Sequence, residues 1–456
     1  MACINSGHLY DDFGGAFFLG SGDHCLDSLE FDLRFPPTRL DESHRDTVGD
    51  APIASKLPPP ASLLQFFRNL TASRKALALG ILAALAVVGT VLGLVATAGQ
   101  GLATAAAPGT APQLHVSGNQ LVSASGQRIV LHGVDRAGTE YGCVQNKGIF
   151  DGPTSQASVN VMKEHGINAV RVPLNEACWN GDSNVNHAYS GATYRTAVQG
   201  YIHRLNNAGM VTILDLHWTD GAYAGAASAC VDATATCQKP MPDAANAPRF
   251  WKSVAGTFKG NDAVIFDLFN EPYPEQAAHG SEAQGWNCWL HGGQCTGISY
   301  KVAGMQSMVD AVRSTGANNV LMAGGLTWSN DLTGWLSHMP ADPDHNLAAS
   351  WHSYNFNGCS KESCWNSQIA PVIAKVPLIA GEIGENDCAA SYVTPLTKWM
   401  DSKHASYLAW TWNADFNCAS GPGLITNYNG QPTGFGAGYM AHIHPAAAQH
   451  AVAAHS

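Results

Sequence analysis

Residues 194 to 217 read YRTAVQGYIHRLNNAGMVTILDLH and carry one complete structural unit. The first part spaces its apolar residues at helical intervals and stops at Gly209, a usual helix terminator. The second part, VTILDLH, is a short run of branched apolar residues, as expected of a strand covered on both faces. A helix that hands over to such a strand within two residues is half of a parallel βαβ unit. Outward from this unit the pattern returns along the chain. Candidate strands are IVLHGV at 129, NAVRVP at 168, VIFDLF at 264, NVLMAG at 319, LAASWH at 347, VPLIAGE at 376 and YLAWTW at 407, which with VTILDLH make eight. Amphipathic segments such as SVNVMKEHG and KVAGMQSMVDAVRSTG lie between them, and each ends in Gly. Eight β-then-α repeats predict an α/β protein, a single (β/α)8 barrel over residues 113 to 445. A doubly wound open sheet is the alternative fold, but no GxGxxG follows the first strand.

The whole chain has 456 residues, 45% of them hydrophobic, enough for one large core with segments appended. Its formal net charge is -11 and only 13% of residues are charged. Binding to a polyanion by counterion release is therefore not expected, and nucleic acid is not a partner. Of the 12 cysteines, Cys3 and Cys25 precede an apolar stretch, and the rest lie between Cys143 and Cys418. Close spacings (Cys230 and Cys237, Cys288 and Cys295, Cys359 and Cys364) suit short disulfide-closed loops in an oxidising compartment. A zinc site is the rival reading, and the chain lacks the CxxC pairs that zinc thiolates favour.

Residues 76 to 98, ALALGILAALAVVGTVLGLVATA, carry no charge and are long enough to cross a bilayer, which takes about 20 apolar residues. Arg68, Arg74 and Lys75 precede the run, and no Lys or Arg follows before Arg128. The positive-inside rule then keeps the N-terminus in the cytoplasm and sends the rest outward. Both a retained anchor and a cleaved signal fit, because Ala105 to Ala107 offer a small-residue cleavage site. Residues 1 to 75 read as a flexible cytoplasmic extension, 99 to 112 as a linker and 446 to 456 as a tail. The expected product is an extracellular or periplasmic barrel domain, secreted or anchored to the cell membrane, and monomeric.

In such a barrel the site lies at the C-terminal ends of the strands. The residues there are Arg171 after the second strand, His217 after the third, Asn270 and Glu271 after the fourth, His352 and Tyr354 after the sixth, Glu382 after the seventh and Trp412 at the end of the eighth. Two glutamates at separate strand ends are what glycoside hydrolysis requires: one protonates the departing oxygen while the other attacks or activates water. No metal or cofactor is needed. A single strand-end Glu is most often a surface carboxylate, but here it comes with a second Glu, an Arg, two His, a Tyr and a Trp.

FNEP at 269 to 272, DLH at 215 to 217, HSY at 352 to 354 and the strand-terminal GE at 381 to 382 resemble glycoside hydrolase family 5, the cellulase-like retaining β-glycosidases. The resemblance implies that Glu271 is the acid/base and Glu382 the nucleophile. It further implies that Arg171 holds the nucleophile ionised with Tyr354 as its second partner, and that His217 and His352 line the cleft. Asn270 would bind the sugar 2-hydroxyl, and Trp412 would form the floor under the cleaved residue. Glu385, in GEIGEN, is a rival nucleophile, but Glu382 directly ends the apolar run. Asp215 reads as a supporting residue. Glu140, Glu176, Trp179 and Trp218 lie in strand-end loops, where loop packing competes with substrate contact.

The implied reaction is a double displacement with retention, in which Glu271 starts protonated because the ionised Glu382 nearby raises its pKa. The implied substrate is a β-linked polysaccharide, β-1,4-glucan first, with mannan, xylan or exo-acting β-glycoside cleavage as alternatives. Two other classes fit less well. A metal-dependent barrel hydrolase wants an HxH after the first strand, where this chain has LHGVD, and a non-catalytic sugar-binding barrel has no use for both glutamates.

Overall fold

The computed structural model describes residues 110–227, 230–419 and 421–444. The N-terminal extension, the apolar segment 76 to 98, most of the linker and the C-terminal tail lie outside the described residues. Among the described residues no helix is long and apolar enough to cross a membrane.

The chain enters through a hairpin of β1 (Leu114–Ser117) and β2 (Gln120–Ser123). Eight parallel strands then close on themselves: β3 (His132–Asp135), β4 (Ala169–Asn175), β5 (Val211–Trp218) and β6 (Val264–Asp267), followed, past a small hairpin of β7 (Gly292–Gln294) and β8 (Lys301–Ala303), by β9 (Leu321–Gly324), β10 (Leu347–Tyr354), β11 (Leu378–Gly384) and β12 (Ser406–Ala409), which pairs with β3. All eight stretches read as strands from the sequence take part in the cylinder, which makes this a (β/α)8 barrel.

The strands read as unbroken apolar runs because both faces are covered, and β5 shows how the two faces are used. Leu214 and Leu216 point outward into the larger core, packed against the helices. Val211 and Ile213 point inward, into a smaller core at the N-terminal end of the cylinder that Leu114 and Leu121 of the entry hairpin close off. Side chains alternate along a strand, so Asp215 and His217 continue that inward row, and the interior turns from apolar to polar as it climbs. β4 repeats the change, from Ala169 in the inner core to the wholly buried Arg171.

Two irregularities fall at the polar end. Opposite β4, the pairing steps from Leu216 to Trp218 and leaves His217 as an extra residue. Opposite β10, it steps from Ala380 to Glu382 and leaves Gly381 unpaired. Such bulges re-aim the side chains beside them. At Gly381 a Cβ would sit 3.0 Å from Nε2 of His352 and 3.2 Å from Oγ of Ser350, so any larger residue would press on the histidine.

Among the described residues five disulfides are formed: Cys143–Cys178, Cys230–Cys237, Cys288–Cys295, Cys359–Cys364 and Cys388–Cys418. Three are the close pairs expected from spacing. The other two join neighbouring loops, Cys143 after β3 to Cys178 after β4, and Cys388 after β11 to Cys418 after β12.

Candidate active site

Arg171 organises the upper end of the barrel. Its guanidinium is fully buried and meets four carboxylates: Nη1 donates to Asp135 at 3.0 Å and to Glu382 at 2.8 Å, Nε donates to Asp267 at 3.1 Å, and Nη2 lies 3.2 Å from Asp215. One cation cannot neutralise four anions. Burial, followed by the crowding of like charges, pushes Asp135 and Asp267 above the ordinary carboxylic-acid range, although Arg171 pulls the other way.

Nη2 of Arg171 also donates to Oδ1 of Asn270 at 2.8 Å. An arginine can only donate, so the amide oxygen of Asn270 faces it and the NH2 is left to face Nε2 of His217 at 3.3 Å. His217 in turn holds Asp215 through Nδ1 at 2.7 Å. Burial opposes a proton on this imidazole, but Asp215 outweighs it and the pKa is raised. Asp215 thus fills the supporting position read from DLH.

Glu382, 4% exposed, has both oxygens occupied. Oε1 accepts from Arg171 and Oε2 accepts from the Tyr354 hydroxyl at 2.6 Å. Burial, then the adjacent carboxylates, push that phenol well above its usual range, so it stays protonated and donates. Glu271 faces Glu382 across His352: Nδ1 of His352 is 3.0 Å from Oε1 of Glu271 and 3.6 Å from Oε2 of Glu382. One ligand atom from each of the three residues falls within 4.8 Å of the others. Among the described residues this is the one trio of His and carboxylate side chains close enough to share a cation. Its atoms are engaged with one another and with Arg171 and Tyr354.

The Glu271 side chain is 17% exposed, and burial pushes its pKa up to about 7. The expected cause, repulsion by Glu382, is not the leading one; removal from water is. Burial also pushes His352 down to about 4, so its ring is neutral near pH 7.

The structure therefore brings together Arg171, His217, Asn270, Glu271, His352, Tyr354 and Glu382. It does not bring Trp412 to them. β12 ends at Ala409, and beyond it the backbone of Trp412 donates to Asp135 O while its ring, 1% exposed, packs 5.6 Å from His165. The half-buried Trp410 is the tryptophan that reaches this group, its ring stacked on His217 at 5.5 Å and 17°. Glu385 is also elsewhere: its carboxylate accepts from the backbone N–H groups of Ser391, Tyr392 and Val393 and caps the helix Val393–Ser402. Glu176 and Trp179, in a short helix after β4, and Trp218, the last residue of β5, are buried, as is Glu140, which accepts from Gly138 N at 2.7 Å.

One contact has no counterpart in the sequence reading. Gln238, from the long loop after β5, donates to Glu271 Oε2 at 2.9 Å. Such a loop residue has no periodic signal, and its only mark in the sequence is that it follows Cys237.

The chain matches the cellulase family, glycosyl hydrolase family 5, over residues 122–416. It is 23% identical over 322 residues, 69% of each chain, to a mannan endo-1,4-beta-mannosidase of Streptomyces lividans. A beta-glucanase from Saccharophagus degradans solved in complex with cellotetraose shares the fold at TM-score 0.56 and 18% identity, over 74% of this chain and 94% of that one. The catalytic domain of a mannanase from Streptomyces sp. SirexAA-E does so at TM-score 0.50 and 22% identity, over 72% and 88%. With well over half of its length matched and two glutamates meeting at the mouth of a closed barrel, this chain belongs to glycosyl hydrolase family 5.

Proposed function

We propose that this retaining glycoside hydrolase cuts β-1,4-linked polysaccharide internally, with Glu382 as nucleophile and Glu271 as acid/base. The spacing of the two glutamates carries the reading: they approach within 4.8 Å, in keeping with the roughly 5–5.5 Å of retaining enzymes and short of the roughly 6.5–9.5 Å that inverting enzymes need to seat a water. Glu382 attacks the anomeric carbon as the glycosidic bond breaks, and Glu271 gives its proton to the leaving oxygen. Water, deprotonated by Glu271, then displaces Glu382 and returns the proton.

The surrounding residues take supporting roles. Arg171 and Tyr354 orient Glu382, Asn270 and His217 meet the sugar hydroxyls, and Trp410 offers the face on which the ring stacks. β-1,4-Glucan is the first substrate of this reading. Mannan is the second, favoured by the endo-1,4 mannosidase relative. Five disulfides fit a catalytic domain that works outside the cytoplasm.

The test is a panel of β-glucan, mannan, xylan and xyloglucan with product sizing and NMR of the first-formed anomer. Mixed oligosaccharides appearing as the β-anomer are expected. An α-anomer formed first would overturn the double displacement.

A further inference from the structure

Glu271 is held from two sides. Nδ1 of His352 faces Oε1 at 3.0 Å, and the amide nitrogen of Gln238 lies 2.9 Å from Oε2 and 3.3 Å from the Glu271 backbone carbonyl. That carbonyl can only accept, which fixes the orientation of the Gln238 amide: its NH2 faces Glu271, and Oε2 must present a lone pair to it.

The loop holding Gln238 is tied down on both sides. Cys237, the preceding residue, is bonded to Cys230, and the backbone at Cys230 is paired with Tyr223 in both directions, at 2.7 and 2.8 Å. The following residue, Lys239, is fully buried and turns back into the same loop, where Nζ donates to Asp232 O at 2.6 Å. Tyr273, two residues beyond Glu271, donates its hydroxyl to Gln238 O at 3.4 Å and its N–H to Pro240 O at 3.0 Å. Gln238 itself is 8% exposed, so the amide has little freedom to turn away.

We propose that Gln238 is a positioning residue for the acid/base: by occupying Oε2 it assigns the transferable proton of Glu271 to Oε1, the oxygen that faces Nδ1 of His352, which itself lies 3.6 Å from Glu382. In the resting site that proton is offered to Nδ1 of the neutral His352. When a glycosidic oxygen arrives, the proton passes from Oε1 to it as the bond to the anomeric carbon breaks, and the carboxylate left behind keeps the Gln238 donor on Oε2. The same donor favours the charged carboxylate and so opposes the rise that burial imposes on Glu271. The inference rests on Glu271 being the acid/base.

Gln238→Met keeps the length and removes the donor. On an oligosaccharide with a poor leaving group, kcat should fall about tenfold. Hydrolysis of an aryl glycoside whose leaving group needs no proton should hardly change. The alkaline limb of kcat/KM should move up by about one pH unit. The double variant Cys230→Ser, Cys237→Ser keeps the amide and frees its loop; it should move both readouts in the same direction by less, and it decides the matter if Gln238→Met does not fold. A folded Gln238→Met with the parental limb and leaving-group dependence overturns the inference. Glu271→Gln is the control for the underlying reading. If it cuts the oligosaccharide at the parental rate the acid/base assignment fails, whereas an inactive Glu271→Gln beside a parental Gln238→Met removes only the role of Gln238.

Discussion

Arg171 and Glu382, 211 positions apart in the chain, are joined by a 2.8 Å hydrogen bond inside the barrel. That bond is one arm of a guanidinium that also reaches Asp135, Asp267, Asp215 and Asn270. No other side chain presents so many donors in one plane. Arg171→Met would leave the buried carboxylates without their cation, and a loss of about 3–5 kcal/mol is expected by denaturant titration at neutral pH. The loss should shrink in acid, where those groups are protonated. Arg171→Lys keeps the charge but cannot span the acceptors, and we expect a folded enzyme with kcat down about 100-fold.

Glu271 sets the pH response. Its carboxyl is raised from 4.5 to about 7, so with Glu271 as the proposed acid/base kcat/KM should fall as pH rises through about 7 and the proton is lost. Stability moves in the same direction. A carboxyl raised on folding holds a proton that the unfolded chain releases, so its contribution is present below about 4.5 and is lost as pH climbs through about 7. Glu271→Gln should therefore match the parent in stability near pH 4 and exceed it at pH 8 by about 3 kcal/mol, read from urea midpoints at the two pH values. A constant offset between the two proteins would contradict this.

Replacing the two glutamates should divide the chemistry. Glu382→Gln should lose at least about a thousandfold on every substrate, because the proposed double displacement makes Glu382 the nucleophile that forms the covalent intermediate. Glu271→Gln should lose about 10²–10⁴-fold on oligosaccharides and much less in the first step with an activated aryl leaving group. Single-turnover kinetics with both substrate types would show the division.

Trp410 and Trp412 offer a contrast within three residues. Trp410→Ala should raise KM about tenfold or more and leave the melting temperature nearly unchanged, since its ring is half-buried at the site. Trp412→Ala should cost about 3–5 kcal/mol of stability with little direct effect on KM, because it empties a packed position. The opposite pattern would restore Trp412 as the cleft floor.

Much of this site was legible because parallel strands buried on both faces read as continuous apolar runs, and the polar residues within or just beyond the C-terminal half of each run are delivered to one end of the cylinder. Arg171, Glu271 and Glu382 were found in that way. Trp412 was misread for a related reason: YLAWTW looks like strand to its last residue, but β12 stops at Ala409, and alternation has no force beyond a strand's end. Gln238 lay out of reach, since its position depends on a crosslinked loop folding back over another strand. The cause of the raised Glu271 pKa was likewise misjudged, because spacing reveals neighbouring charges but not how much water the folded site excludes. Cys143–Cys178 and Cys388–Cys418 were illegible in the same sense, being close only once adjacent strands have paired.

Among the described residues every crosslink falls in the segments that follow strands, and none in those that precede them. Three are self-contained: the loops closed by Cys230–Cys237, Cys288–Cys295 and Cys359–Cys364 each hold both halves of their bond, so each can be exchanged for a foreign segment without stranding a thiol. The other two bind successive loops into couples, which must be transplanted together or not at all. The rim thus divides into independent cassettes and obligate pairs, a partition that thiol titration of single-loop chimeras would expose directly.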